Sequence, residues 1–408
     1  MKSGSSKIKA FFQKYRFRRI ATVVAGAAAL RLILWFVLYR LASRDRALTY
    51  KLYTSRVFPV ITQPMKSIAK LFPFSVGETL VIIMAALFVA GLVICTVRAF
   101  RNKKSARGIA PAPKKPAGFA RLLVMLLVAA LLIGGNFFVY GGINYKSLTF
   151  KELSGLDVKN TDIDTLEKLC LFLGQKATEA RQGLPLDEKG FVVDSRSAQE
   201  ILSASPAGYA KAAEEFSCLS GRFTPPKAAL FSEIMSYEQI AGIFPIVFTE
   251  SIVNKNAPAY DLPSVACHEL AHQLGFAQED EANFIGYLAA ICSDDPLYIY
   301  SGYYSGFCYA MNKLYNFDRD KWAAVWQSPE IDAEGISNDM RRSNEIWDSY
   351  RKKAEVVSKV SEAVNDSYLK SNDISDGTHS YGRVVDLLIA YYSEQLPEVS
   401  SVSGSTQG

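Results

Sequence analysis

The chain contains three histidines, and two of them stand four residues apart in "CHELAHQLGFAQEDEAN", Cys267 to Asn283. On a helix this spacing sets His268 and His272 one above the other on one face, where two imidazoles reach a single divalent ion. Glu269, beside the first histidine, is placed to hold a water at that ion and take its proton. The pattern is HExxH, and its chemistry is hydrolysis by water activated on Zn2+ at neutral pH. A catalytic zinc wants a third protein ligand and one open position. Gly275 can end the helix in a left-handed conformation and turn the chain back toward the ion. Gln278, Glu279, Asp280 and Glu281 follow it. A carboxylate is the expected type. Glu279 is preferred, because Asn283 lies four residues on along the same face and can buttress His268 or His272; Glu281 is the alternative. An ordinary surface helix with charged neighbours does not require two of three histidines in one turn, then a glycine, then an acid cluster. The rival from another class is a non-catalytic envelope or scaffold protein in which zinc only stabilises the fold.

Two other stretches bear on such a site. "GTHSYGRV" offers His379, Tyr381 and Arg383, and Tyr381 is the preferred hydrogen-bond donor to a tetrahedral oxyanion. Ile240 to Thr249, dense in β-branched and aromatic residues, predicts a strand, which can accept an extended peptide by strand addition. The six cysteines form no CxxC pair, which argues against a disulfide framework or a thiolate zinc site. Cys267 adjoins His268, but neighbours on a helix point about 100° apart, so it reads as a small buried hydrophobe.

These residues must be positioned by a chain of uneven composition. It has 408 residues, 49% hydrophobic, with a net charge of +6. Residues 1–121 carry 23 Lys+Arg against Asp45 and Glu78, a net of +21, and the remainder carries a net of −15. The basic residues flank long apolar runs instead of interleaving with aromatics, which points to membrane topology and not to nucleic acid. Three runs reach the about 20 residues that a bilayer requires: Ile20–Tyr39, Thr79–Val97 and Leu122–Gly142. The N-terminal 19 residues hold seven positive charges and no acid, and the connection Arg98–Arg121 holds eight and no acid. Both are expected in the cytoplasm, which sets everything after about Asn144 outside.

The resulting plan is a basic cytoplasmic tail (1–19), transmembrane helices at 20–42, 77–98 and 119–142, an extracytoplasmic loop (43–76) and a basic cytoplasmic linker (99–118). An extracytoplasmic domain (143–394) and a disordered tail (395–408) follow. The loop, rich in Pro, aromatic residues and Lys, is expected along the outer membrane face as part of the domain's seat. In the domain, apolar residues at helical spacing predict helices from a cap at Asp162 or Asp164 to Gly183, around Pro206, over Pro263–Gly275, from Gln278 onward and through the C-terminal third. The fold class is mainly α, with a small β element.

The blocks "FPFSVGE", "LFSEIMSYEQIAGIF", "HELAHQLGFAQEDEANFIGYLA" and "SYGRVVDLLIAYY" resemble bacterial membrane proteins grouped as "domain of unknown function 3810". That resemblance spans nearly the whole chain. It implies an anchored, zincin-like metallopeptidase with no settled substrate; the expected location is the cytoplasmic membrane of a bacterium, with the lipid bilayer and a peptide or protein substrate as the expected partners. "EDEAN" is also similar to the Glu-x-x-Ala-Asp/Asn block that supplies the third ligand in CAAX-prenyl-type membrane proteases and ImmA-type peptidases. That similarity implies Glu279 as the ligand, although only seven residues separate it from His272, fewer than in most such enzymes.

Overall fold

The computed structural model describes residues 22–23, 26–105, 141–159, 162–353 and 381–396. Helix α1 covers 26–42, α2 Phe58–Ala69 and α3 Val76–Ser105. After these come α4 (Phe150–Ser154), α5 (Ile163–Arg181), α6 (Ala198–Ser203), α7 (Pro206–Glu215), α8 (Ser232–Tyr237) and α9 (Leu262–Leu274). The series closes with α10 (Glu279–Ile291), α11 (Pro296–Phe317), α12 (Arg319–Trp326), α13 (Ala333–Lys353) and α14 (Tyr381–Tyr391). The expected mainly helical class holds. The β element consists of β1 (Lys227–Ala228), β2 (Gly242–Ile243) and β3 (Ile252–Val253) in the order β1-β3-β2, with β1 parallel and β2 antiparallel to β3.

The chain divides into two compact units, Met1–Tyr53 with Val76–Ser147, and Thr54–Ser75 with Leu148–Gly408. In the first unit, Val76–Ile94 is the one helix among the described residues that is long and apolar enough to cross a membrane. Its Leu, Val and Ile side chains point outward, as do Leu30, Ile33 and Leu34 of α1. The run Leu122–Gly142 lies outside the described residues except for Gly141 and Gly142. Just beyond it, the Ser147 carbonyl accepts from Arg46 Nε at 3.1 Å and Nη2 at 3.0 Å, and Lys146 Nζ sits 5.2 Å from the Tyr39 ring centre.

In the second unit, α5 starts where Asp162 accepts from the Thr165 amide at 2.9 Å. It buries Leu166, Leu169, Leu173 and Ala177 on one stripe. The helix does not end on Gly183 as expected; Gln182 caps it in a right-handed conformation. The break between α6 and α7 falls at Pro206, whose missing N–H costs nothing in a first turn. Asp339, fully buried, accepts from Arg181 Nε at 2.9 Å, the Tyr300 hydroxyl at 2.6 Å and the Val192 amide at 3.1 Å, tying α5, α11 and α13 together.

One expectation changes. The strand foreseen over Ile240–Thr249 shrinks to Gly242–Ile243. Pro245 has no N–H for a ladder, and its carbonyl instead accepts from Phe248 N at 2.8 Å and Thr249 N at 3.0 Å, curling the chain into a turn with Thr249 at φ 54°. Residues 54–75, within the expected extracytoplasmic loop (43–76), pack as part of the second unit. Helix α2 buries Phe58, Thr62, Lys66 and Ala69, one helical face.

Candidate metal centre

Helix α9 carries the motif. Pro263 occupies its first turn, and Gly275 ends it at φ 98°, a conformation that glycine adopts without steric cost. The turn returns the Phe276 amide to the Ala271 carbonyl at 3.3 Å and aims the Phe276 carbonyl at His272 Nδ1, 2.7 Å away. An Nδ1–H donated there leaves Nε2 as the free lone pair, the arrangement a metal-ligating histidine needs.

Helix α10 then brings Glu279 to the pair. His268 Nε2 and His272 Nε2 are 3.1 Å apart; Glu279 Oε2 is 3.2 Å from the first and Oε1 3.7 Å from the second. One ligand atom from each of the three residues lies within 4.8 Å of the others. A tetrahedral ion with bonds of about 2.0–2.1 Å separates its ligand atoms by about 3.3–3.4 Å; the imidazole pair and the His268–Glu279 Oε2 edge lie close to that value, while His272 is nearer the other Glu279 oxygen. A set of two imidazoles and one carboxylate with a side left open suits zinc. The cluster favours positive charge. Burial opposes protonation of His272, but the Glu279 carboxylate outweighs it and lifts that imidazole to about 9. Burial works against the Glu279 carboxylate as well, and the two histidines override it, holding the acid well below its usual range.

Glu269 lies beside the pair and is 3% exposed, and its Oε2 has no hydrogen-bond partner. Burial pushes its carboxyl up, while His268 and His272 pull it down. A buried carboxylate oxygen without a partner is costly unless it faces a ligand or water, which is what a general base at a metal-bound water requires. The backbone of β2 covers this group: a Cβ on Gly242 would stand 2.5 Å from Glu269 Oε1. From below, Ser251 Oγ donates to the Glu269 carbonyl at 2.9 Å.

The other expected residues distribute as follows. Glu281 is turned away, its Oε1 accepting from the Lys151 amide in α4 at 3.3 Å, and burial raises it to about 7. Asn283 does not buttress a histidine; its Oδ1 accepts from the Tyr309 hydroxyl at 3.2 Å, and His268 Nδ1 has no partner. Tyr381 is the first residue of α14, and its side chain lies outside what is described, as does His379. Arg383 donates from Nε to Asp280 Oδ2 at 2.7 Å, pinning α14 to the residue after Glu279. Cys267 is fully buried, as expected of a small buried hydrophobe, and burial pushes its thiol up.

Three neighbours escaped sequence reasoning. The Phe244 ring stacks on His272, centroids 6.5 Å apart. Lys66 of α2, buried, donates from Nζ to the Gln273 carbonyl at the end of α9 at 3.0 Å. Gly286 lets α10 close on α9, since a Cβ there would lie 2.7 Å from His268 N. Two of them left a trace in the sequence: Phe244 falls in the stretch Ile240–Thr249 read as bearing on the site, and Gly286 is seven residues after Glu279 and thus on the same helical face.

A family model described as "Protein of unknown function (DUF3810)" matches residues 53–389. The chain belongs to that family. No match was found among curated proteins or among solved structures. The matched region opens one residue before Thr54, takes in α2, the apolar helix α3 and the whole of Cys267–Asn283, and ends inside α14. The family model thus covers the apolar helix and the histidine–carboxylate cluster together.

Proposed function

We propose that this chain is a membrane-anchored, zinc-dependent metallopeptidase that cleaves peptide bonds outside the cytoplasmic membrane. The observation that carries the reading is the meeting of His268, His272 and Glu279, with one ligand atom from each within 4.8 Å of the others, beside the unpartnered Oε2 of buried Glu269. His268, His272 and Glu279 would hold the zinc, which would supply Lewis acidity toward a carbonyl and toward water. Glu269 takes the proton of the attacking water and delivers it to the leaving amine. Phe276 fixes the His272 ring through its carbonyl. Strand β2, at the sheet edge over Glu269, offers backbone groups to an extended peptide.

Connectivity supports three crossings. Residues 54–75 and the chain after Leu148 belong to one compact unit, so both lie on one side of any membrane. If the segment between them leaves through Val76–Ile94, it must return to the same side, and we propose the apolar run Leu122–Gly142 for that return. The Arg46–Ser147 bond is in keeping with this plan, in which the basic N-terminus is cytoplasmic.

The test is zinc content and peptidase activity of the purified chain. The proposal requires zinc in the wild type, its loss in His268→Ala, and loss of activity with retention of zinc in Glu269→Gln. Zinc that is bound while Glu269→Gln restores full cellular function assigns the non-catalytic, zinc-stabilised reading instead.

A further inference from the structure

The second unit carries an apolar platform at the point where its chain runs into α3. Residues 70–74, "KLFPF", are all exposed. Leu71 is 77% exposed, and Ile68, Phe72 and Phe74 project beside it, with the two phenylalanine rings 5.5 Å apart. Exposed aromatic and aliphatic groups beside a lysine are unfavourable in water but match the headgroup boundary of a bilayer. The turn is held in place. Buried Lys227 of β1 threads its ammonium into it and donates to the carbonyls of Ala69, of Phe72 at 2.6 Å and of Phe74 at 2.9 Å. Ser75 is fully buried and donates to Glu250 at 3.2 Å. One peptide bond later the apolar helix begins.

The same sheet that grips this turn covers the catalytic acid. Lys227 pairs with Ile252, and Ile252 pairs with Ile243, so the three lie in one row across β1, β3 and β2. Two strand spacings of about 4.8 Å put the Lys227 and Ile243 backbones roughly 10 Å apart. Gly242, next to Ile243, lies against Glu269, and Ile243 is itself exposed.

From these contacts we infer that residues 68–74 dock into the lipid surface and hold the zinc site at the membrane, so that its substrates are membrane-anchored polypeptides cut close to their anchor. The substrate half rests on the peptidase reading; the docking half stands without it. With the docked turn and the cover of Glu269 only two strand spacings apart in one sheet, docking would keep the site close to the lipid surface, and a soluble peptide gains nothing from that height. A peptide emerging from the same bilayer arrives already level with β2.

The experiment uses the full chain in phosphatidylethanolamine–phosphatidylglycerol vesicles, with a randomised quenched-fluorescent peptide mixture as probe. The mixture is supplied free, or coupled to phosphatidylethanolamine through a spacer of about 4 residues, ~13 Å extended, or through a Gly/Ser spacer of about 40 residues, ~35 Å as a coil. Both anchored probes share one surface concentration, so only the height of the site separates them. The short-spaced probe is expected to be cut at least as fast as the long one. Leu71→Asp with Phe74→Asp should slow the short-spaced probe at least fivefold and leave the free peptide's rate unchanged. Cleavage of the long-spaced and free probes but not the short one overturns the inference and leaves the peptidase standing. If no probe is cut by zinc-loaded protein, the peptidase reading and the substrate assignment fall together. Docking is then decided by bimane on Leu71→Cys: quenching by headgroup-nitroxide lipid supports it, and quenching by aqueous iodide alone overturns it.

Discussion

The contact between α9 and α10 offers the sharpest test of the site. Gly286→Ala places a methyl 2.7 Å from His268 N and 2.9 Å from His268 Cα, both backbone atoms of a packed helix. Carbon contacts settle at about 3.5–4.0 Å, so α10 must retreat by roughly 0.8 Å. Glu279 begins this helix and travels with it. Metal–ligand distances tolerate about 0.2 Å, so the displacement exceeds what the coordination can absorb. We expect zinc affinity to fall at least tenfold, ~1.4 kcal/mol, together with an overpacking cost of about 1–3 kcal/mol in stability. Gly174→Ala is the matched control. Its methyl meets side chains only, Ile331 and Phe307, on the α5–α11 contact, so it should cost stability while leaving zinc affinity unchanged. Competition with a chromogenic chelator gives affinity, and thermal melts of the zinc-free protein give stability. Equal zinc affinities in the two variants at equal loss of stability would refute the claim that helix spacing sets the coordination.

Glu279→Gln should reduce zinc affinity by more than the 10–100-fold typical of removing an outer partner, whereas Glu281→Gln should leave it within about threefold; the opposite order in the same chelator assay rejects the ligand assignment. Asp339→Ala takes away the buried partner of Arg181 Nε, leaving Asp332 and the Gly190 carbonyl on its other nitrogens, and unpairs the Tyr300 hydroxyl and the Val192 amide; it should cost about 3–5 kcal/mol, a fall in Tm of roughly 6–20 °C, and a fall of under a degree would show that the network is solvated. Lys66 is lowered by burial to about 8. Between that value and its ordinary 10.5 the unfolded chain therefore binds more protons than the folded one, and stability rises with pH across this window. Lys66→Met removes the rise, so the gap in Tm between the variant and the wild type should move in the wild type's favour from pH 7.5 to 10; a gap that stays constant contradicts it.

What the sequence determined by itself was local. Helical geometry sets His268 over His272 wherever that stretch is helical, and Asp162, Pro206, Pro263 and Gly275 mark ends and breaks because capping and proline sterics act within a few residues. The same locality explains the misses. Gly183 has the residue type of a helix stop, but α5 ends one residue earlier without a left-handed turn. Ile240–Thr249 has strand composition, but Pro245 bends it into a turn. Which acid meets the histidines was open in the sequence, since Glu279 and Glu281 are both carboxylates in one helical turn. Tertiary packing separates them, because α4 presents the Lys151 amide to Glu281 while the α9–α10 approach at Gly286 delivers Glu279. The joining of residues 54–75 to the site was likewise decided only in three dimensions. The Lys66–Gln273 and Lys227–Phe74 contacts link residues more than 150 positions apart, and no periodicity or cap encodes a partner at that distance.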